Sequence, residues 1–405
     1  MYPNLRFAIY DITGMDIPML GLVQSYGLFL ALAFLSSGIA LASDLKRREK
    51  LGLLKGTTTQ IKVGEPISWP KLVVRTLISF IVLSKAIYAL IHPEIYMGPK
   101  AKEALLSLDT AYWLAGLAGS FLLSFLHYKN QKKELAEYPN PTTITKLIMP
   151  HERVGDIVII AAVSGLIGAK LLYMTEVDYT SWEQMMADLF SGSGLAVYGG
   201  FILAFFIVVL YIRKHNIPLS QMLDACAPAM IIAYGVGRLG CHFSGDGDWG
   251  DPNPITKPFS FLPDWMWSYN YPNNVLGEGI LMQDCGYPSS FGNYCYMLEN
   301  GVYPTPVFEF IMASLIFLFL WRIRHKIKTT GLLFFIYLMF NGIERFTIEI
   351  IRINKDYQVF GIEMSQAQFI SIIIFTIGLL GSILFLRTQI NNEKWGVDLS
   401  KIKNQ

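Results

Sequence analysis

Six charged side chains lie within or beside long apolar segments, and their residue types are suited to chemistry. They are three arginines and three glutamates: Arg238, Glu309, Glu344, Arg345, Glu349 and Arg352. A charge at the centre of a bilayer costs about 2.5–3.5 kcal/mol on insertion scales, so such groups pair, reach an interface or line a polar cavity. Guanidinium groups present planar, forked donors that match phosphate. The set therefore suggests a water-accessible pocket for an anionic group, with salt bridges between helices as the alternative interpretation.

Glycines surround the first of these arginines and recur in a second motif. Gly235, Gly237 and Gly240 flank Arg238, and small residues let a backbone and a lipid headgroup approach closely. Gly199 and Gly200 follow Tyr198 early in another apolar segment. This glycine pair would admit an acyl chain or a close helix contact equally well.

The residues after Arg238 do not predict a metal site. Asp246, Asp248 and Asp251 resemble a calcium loop only loosely, because the spacing lacks the terminal glutamate of an EF-hand. Cys285 and Cys295 lie in a loop rich in Gly, Tyr and Asn. They would form a disulfide if that loop faces an oxidising compartment, and two free thiols are the alternative.

The composition is that of a membrane protein. Hydrophobic residues make up 53% and charged residues 16% of the 405 residues, whereas soluble domains carry about 25% charged residues. The net charge of +2 gives no indication of a nucleic-acid partner. Spanning helices need about 20 mostly apolar residues. About nine segments qualify: 21–43, 72–91, 110–128, 157–174, 189–212, 225–240, 302–321, 331–351 and 365–386. We therefore predict an all-α polytopic membrane protein.

The distribution of Lys and Arg predicts the orientation of these spans. Successive connecting segments lie on alternate sides of the membrane, and the positive-inside rule places the basic ones in the cytoplasm. About 22 of the Lys and Arg residues fall in one of the two resulting sets, which comprises 44–71, 129–153, 213–221, 322–330 and 387–405. The other set holds about five: the N-terminus, 92–109, 175–188, 241–303 and 353–364. The N-terminus and the long loop 241–303 are thus predicted outside and the C-terminus in the cytoplasm. The six charged residues then gather at the outer ends of three spans.

Taken in order, these motifs resemble those of the prolipoprotein diacylglyceryl transferase family, bacterial enzymes that lipidate lipoprotein precursors. The family signature of Gly-Arg-(Ile/Leu)-Gly-Asn, followed by Gly-Glu-x-Trp-Gly, corresponds to segment 237–250. Cys241 stands at the asparagine position, and one additional residue precedes Trp249. The family motif Arg-Phe-x-x-Glu-x-x-Arg corresponds to segment 345–352, whose charged residues have the spacing of one helix face.

Three weaker motifs complete the resemblance. Tyr26 and the glycine after it match a Tyr-Gly pair of the family's first helix. Segment 198–200 matches a His-Gly-Gly motif, and segment 303–309 matches His-Pro-(Ser/Thr)-Gln-Leu-Tyr-Glu. Tyr198 and Tyr303 therefore stand where the family has histidines.

The resemblance implies a domain organisation. The family has a seven-helix core, so segment 50–149 with its two helices is expected to be an insertion. Residues 1–49 would form the outer N-terminus and first helix, and residues 150–390 the transferase-like core with its outer loop 241–303. Residues 391–405 would be a cytoplasmic tail.

The resemblance also implies a reaction, at the outer face of the bacterial inner membrane. A diacylglyceryl group would pass from phosphatidylglycerol to the cysteine thiol of a lipobox in a prolipoprotein, without a cofactor. Arg238, Arg345 and Tyr198 are the implied catalytic residues. A tyrosine, with a reference pKa of about 10, is a poor base for a thiol of pKa about 8.5, and His242 is the nearest alternative base. The implied substrate-binding residues are Tyr26, Gly199, Gly200, Arg238, His242, Asp246, Glu309, Glu349 and Arg352.

Two other functions stay open. A catalytically altered paralogue would bind lipid or lipoprotein without transfer, and the two tyrosines favour that interpretation. A transporter with a charged central cavity fits less well, because the charges lie near one face and the sequence has no broken-helix repeat.

Overall fold

The computed structural model describes residues 1–91, 112–189, 194, 196–288, 294–353, 356–359 and 362–394. These residues are mostly helical. The helices are α1 Leu5–Thr13, α2 Ser25–Lys50, α3 Trp69–Ile91, α4 Trp113–Glu137, α5 Val154–Glu176, α6 Trp182–Leu189, α7 Val197–Lys214, α8 Leu219–Ser244, α9 Thr305–Ile323, α10 Leu332–Glu349 and α11 Gln366–Lys394.

Three antiparallel two-stranded sheets join some of these helices. Their strands are β1 Thr57–Val63 with β2 Thr142–Ile148, β3 Ile280–Leu281 with β4 Tyr296–Met297, and β5 Asp356–Val359 with β6 Ile362–Ser365. The first sheet carries the hairpin of α3 and α4, which pack on each other where Gly116 meets Ser84. The described residues of the predicted insertion therefore include this sheet and these two packed helices, and its role as an insertion stays a prediction.

Five segments in the described part of the chain are helical, long and apolar enough to cross a membrane. They are Ser25–Lys50, Pro150–Glu176, Leu219–Ser244, Thr305–Ile323 and Gln366–Arg387. The protein is thus a helical membrane protein, as the composition predicted. The other four predicted spans each overlap a helix of 18 or more residues, namely α3, α4, α7 and α10. The count of nine spans remains a prediction.

A buried set of ion pairs ties helix ends together at one end of the bundle. Asp44 of α2 is fully buried and accepts from Arg48 at 2.7 Å, and Nη1 of Arg324, just beyond α9, lies 3.3 Å from it. Arg48 also donates to Gln221 of α8 at 2.5 Å. The carboxylate of Asp224, also on α8, accepts a hydrogen bond from the backbone N–H of Gly331, the residue just before α10. Three of the basic connecting segments that the sequence grouped on one side, 44–71, 213–221 and 322–330, contact one another or the same helix at this end.

The opposite end brings together the N-terminus, the long loop and the end of α10. The backbone N–H of Tyr2 donates to the carbonyl of Phe243 at 2.9 Å. Gly250 in the loop forms a β-bridge with Arg352. Of the segments predicted to share a face, the N-terminus and the long loop therefore meet here.

The glycine pair at the start of α7 is explained by helix packing. A Cβ atom on Gly199 would lie 2.3 Å from the carbonyl oxygen of Gly168 in α5, and a Cβ on Gly168 would meet the carbonyl of Gly199 at the same distance. A Cβ on Gly200 would lie 2.8 Å from the carbonyl oxygen of Gly165. Only glycines allow these two backbones to approach so closely. The contact fixes the position of Tyr198 beside α5.

Candidate functional site

The centre of the candidate site is a forked ion pair between two helices. Arg238 lies near the C-terminal end of α8, and Glu309 lies near the start of α9. Nε and Nη2 of Arg238 donate to the two carboxylate oxygens of Glu309 at 2.5 and 2.8 Å. Glu309 is fully buried. The helices can approach because a Cβ on Gly235 would already lie 2.9 Å from the Cβ of Ala313.

Two further arginines surround the same carboxylate. Nη1 of Arg345, on α10, donates to Oε1 of Glu309 at 3.4 Å. Nη1 of Arg352 lies 3.8 Å from that oxygen. Arg345 also pairs with Glu349 one helical turn later, at 3.2 Å. Three guanidinium groups from three chain segments thus converge on one buried carboxylate, at the end of the bundle where the long loop lies.

Asp248 in the long loop closes the cluster from the other side. One of its carboxylate oxygens accepts from Nη1 of Arg238 at 2.5 Å, and the other accepts from Nη2 of Arg352. Its backbone carbonyl accepts from the hydroxyl of Thr305 at 2.6 Å. Burial alone would raise the pKa of Asp248, but the charges of Arg238 and Arg352 hold that pKa below its usual range. Asp248 is therefore a counter-ion shared by two arginines.

Tyr234 and Glu344 extend the network into the bundle. The hydroxyl of Tyr234 lies 2.9 Å from Glu309 and 3.2 Å from Glu344. Glu344 is buried, and within the described residues it forms no ion pair with the three arginines. The guanidinium of Arg238 lies 5.7 Å from the centre of the Tyr234 ring. Sequence reasoning did not select Tyr234, although its position one helical turn before Arg238 was a usable signal.

The path of the loop explains how Arg352 reaches the site. The backbone N–H of Gly250 donates to Tyr303 at 2.8 Å, and that of Asp251 donates to Ile351 at 2.9 Å. Helix α10 ends at Glu349, because the next residues pair with the loop instead of continuing the helix. The predicted shared helix face therefore holds for Arg345 and Glu349, whereas Arg352 arrives through its bridge with Gly250.

His242 points into a group of aromatic rings. It is 3% exposed, and its Nδ1 lies 3.1 Å from the hydroxyl of Tyr271. Rings of Phe243, Trp265 and Tyr269 lie within 6.0 Å of the imidazole. In the part of the chain that the structure describes, no hydrogen bond joins His242 to an arginine of the cluster. These contacts suit a residue that holds the loop against α8, and a role as base stays a prediction.

Two predicted site tyrosines lie outside the ion-pair network. Tyr26 is 47% exposed on α2, and its carbonyl oxygen would lie 3.4 Å from a Cβ on Gly240. It therefore borders α8 near Arg238. Tyr198 is 50% exposed at the start of α7. No hydrogen bond between described residues links its hydroxyl to the cluster, so its assignment as a catalytic residue also stays a prediction.

One group of described side chains has the donor types of a metal site. Sγ of Cys241 and carboxylate oxygens of Asp246 and Asp248 all lie within 4.8 Å of one another. Burial and the neighbouring charge of Asp248 raise the pKa of Asp246. Because Asp248 already pairs with Arg238 and Arg352, the arrangement fits a counter-ion for arginine better than a cation ligand.

Cys285 and Cys295 are joined by a disulfide. Of the two alternatives left by the sequence, the structure therefore has the bonded one. Asn273 fixes the same part of the loop, since its side-chain amide donates to the carbonyl oxygens of Cys285 at 3.3 Å and Tyr294 at 2.7 Å. The disulfide thus crosslinks one part of the loop that also carries Asp248 and the aromatic rings.

The chain is similar to known prolipoprotein diacylglyceryl transferases. The profile of the prolipoprotein diacylglyceryl transferase family matches residues 104–384. A phosphatidylglycerol–prolipoprotein diacylglyceryl transferase of Leptospira interrogans is 25% identical over 249 residues, which cover 54% of this chain and 68% of the relative. The enzyme of the same name from Clostridium botulinum is 27% identical over 239 residues, covering 58% and 80%. The one from Dehalococcoides mccartyi is 26% identical over 241 residues, covering 58% and 78%.

The matched range contains every charged residue of the cluster. It begins inside the segment that the sequence predicted as an insertion, so that boundary remains open to test. With 281 of 405 residues matched (384 − 104 + 1), the chain belongs to the prolipoprotein diacylglyceryl transferase family.

Proposed function

We propose that this protein transfers a diacylglyceryl group from phosphatidylglycerol to the lipobox cysteine of prolipoproteins, at the outer face of the bacterial inner membrane. The observation that carries the proposal is the convergence of Arg238, Arg345 and Arg352 at one end of the bundle. Forked donors at that depth suit the phosphate of a lipid whose acyl chains lie in the bilayer. Family membership supplies the reaction class.

The steps of the reaction show which developing charge these arginines would have to stabilise. The thiol sulfur attacks the glyceryl carbon that carries the phosphate ester. A carbon–sulfur bond forms, the carbon–oxygen bond breaks, and glycerol phosphate leaves with the bonding electrons. Negative charge therefore grows on the phosphate, where Arg238 and Arg345 are proposed to stabilise it. The thiol proton passes to a base or to water, and the reaction balances with either acceptor.

The proposed substrate contacts follow from the positions of the side chains. Glu309 and Glu349 hold the guanidinium groups in place, and Arg352 adds a third cation. Tyr26 borders α8 on the side of α2. Gly199 and Gly200 act by bringing α7 against α5, which positions Tyr198. His242 in the last turn of α8 and Asp246 at the start of the loop are proposed to contact the substrate from there.

We expect Tyr198→Phe to lower the rate of transfer by about 10²-fold, the lower range for a group that takes part in proton transfer. The ring and its packing remain, so thermal stability should not change. Tyr211→Phe is the matched control, because Tyr211 lies at the other end of α7 and donates to Asp156 at 2.8 Å. Unchanged transfer by Tyr198→Phe would remove Tyr198 from the catalytic residues.

The proposed orientation places the N-terminus and the long loop outside and the C-terminus in the cytoplasm. The Cys285–Cys295 disulfide supports it, since disulfides persist in oxidising compartments. A cysteine introduced at exposed Glu278 should react with an impermeant maleimide in intact cells. One introduced at exposed Lys133 should react only after permeabilisation. The parent chain corrects for Cys226 and Cys241, and the opposite labelling pattern would place the site in the cytoplasm.

The function itself is tested in a bacterial strain depleted of its own transferase. Expression of this chain should restore growth and lipoprotein processing, and the Arg238→Ala variant should not. A catalytically altered paralogue would bind phosphatidylglycerol and still fail to complement, which would contradict the proposal.

A further inference from the structure

Asp248 differs from the other carboxylates that pair with the arginines. Its side chain is 26% exposed, whereas that of Glu309 is 0% and that of Glu349 is 1% exposed. It comes from the loop, between Gly247 at φ +94° and the buried Trp249. Glu309 and Glu349 come from helices. Asp248 is thus the carboxylate of the cluster with the most access to solvent.

The two arginines bind Asp248 as they would bind a phosphate diester. Its two oxygens accept from different guanidinium groups, Nη1 of Arg238 and Nη2 of Arg352. A phosphate diester also presents two unesterified oxygens that share one negative charge, and arginine N–H groups form strong, charge-assisted hydrogen bonds to such oxygens. The position between Arg238 and Arg352 accommodates one of these anions at a time.

We propose that the carboxylate of Asp248 and the phosphate of the lipid compete for the same position between Arg238 and Arg352. Asp248 then sets how tightly the site holds the phosphate of the substrate and of the released glycerol phosphate. This inference rests on the proposed function, because it takes the ligand to be a phosphate group.

Charge balance favours exchange over simultaneous binding. Three guanidinium groups face three carboxylates that pair with them, on Asp248, Glu309 and Glu349. A phosphate added to this set would crowd a fourth negative charge beside Asp248. If Asp248 turns towards solvent as the phosphate binds, the balance is preserved.

The local structure identifies Asp248 as the group that moves. Glu309 is fully buried and contacts all three arginines and Tyr234, so its departure would expose several buried charges. The backbone carbonyl of Asp248 is held by Thr305. Rotation of the Asp248 side chain is therefore enough, and the loop backbone stays in place.

The test measures binding of sn-glycerol 1-phosphate to the purified chain by calorimetry. Asp248→Asn keeps the shape and removes the competing charge. We expect it to bind the probe about tenfold more tightly than the native chain, the effect of losing one charged hydrogen-bond competitor. The KM for phosphatidylglycerol should fall in parallel. Asp264→Asn is the matched control, since Asp264 lies in the same loop and pairs only with exposed Lys257 among the described residues.

The outcomes separate this inference from the proposed function. Binding of the probe by the native chain, with no gain in Asp248→Asn, would overturn the competition and leave the transferase proposal intact. Failure of both chains to bind phosphate would overturn the phosphate assignment itself. Asp248→Ser serves as a second variant with the Thr305 contact retained. If both variants unfold instead of binding more tightly, Asp248 is a structural counter-ion and the inference is wrong.

Discussion

Replacing Arg238 with alanine is expected to lower the rate of diacylglyceryl transfer by about 10²–10³-fold, the loss seen when one preorganised donor to a developing negative charge is removed. Arg238→Lys should fall between alanine and the native chain, because lysine keeps the charge and loses the fork. The measurement is transfer from phosphatidylglycerol by each purified variant, with thermal stability in detergent recorded on the same samples.

The stability of these variants distinguishes a phosphate-binding role from a structural one. Without Arg238, Glu309 still lies near Arg345 and Arg352, so the protein should insert and fold with a modest loss of stability. Arg48→Ala is the matched control, since Arg48 also forms an ion pair, lies at the opposite end of the bundle and is more deeply buried than Arg238. It should lose stability while its folded fraction transfers normally. Full transfer by a stable Arg238→Ala protein would refute the phosphate assignment.

Glu309→Ala is expected to have the largest effect on stability of any single change in the site. It would remove the carboxylate shared by Arg238, Arg345 and Arg352. Breaking a buried ion pair from one side costs about 3–5 kcal/mol, because the partner charge is left uncompensated. Thermal or denaturant unfolding in detergent measures the loss.

Two further variants test whether the loss of stability depends on the buried charge of Glu309. Glu309→Gln keeps the hydrogen-bonding shape and removes the charge, so it should lose less stability than alanine. Glu299→Gln removes the same charge from an exposed position in the long loop and should leave stability unchanged. Equal stability of Glu309→Ala and Glu299→Gln would show that the three arginines do not depend on the buried carboxylate.

The sequence predicted the helices and the gathering of charge for simple physical reasons. Long apolar segments have few alternatives to helices in a bilayer, and embedded charges must find partners. Alternation of basic and neutral connecting segments then assigned helix ends to two groups. Residues of the same group meet in the structure, as Asp44 does with Arg324 and Tyr2 with Phe243.

Other features depend on the path of the loop, which spacing along the chain does not determine. Asp248 reaches Arg238 and Arg352 because Gly250 pairs with the chain beyond α10. The same pairing ends α10 before Arg352. For the two cysteines, the sequence left a disulfide and free thiols equally open, since the choice follows from how Asn273 and its neighbours fold the loop.

For the glycine pair, the sequence alone left two explanations open. Gly199 and Gly200 suited either an acyl chain or a helix contact. The structure has the helix contact, with backbone oxygens of α5 where a Cβ would stand. The predicted role of Tyr198 therefore depends on where α7 places it.

The most direct test of transferase activity detects the carbon–sulfur bond that the reaction would form on the lipobox cysteine. The purified chain is incorporated into phosphatidylglycerol vesicles with a lipobox peptide, and the peptide is analysed by mass spectrometry while released glycerol phosphate is measured. We expect a diacylglyceryl thioether on the lipobox cysteine and one glycerol phosphate for each modified peptide, both absent with Arg238→Ala. Binding of phosphatidylglycerol with no thioether on the peptide would contradict the proposed transfer.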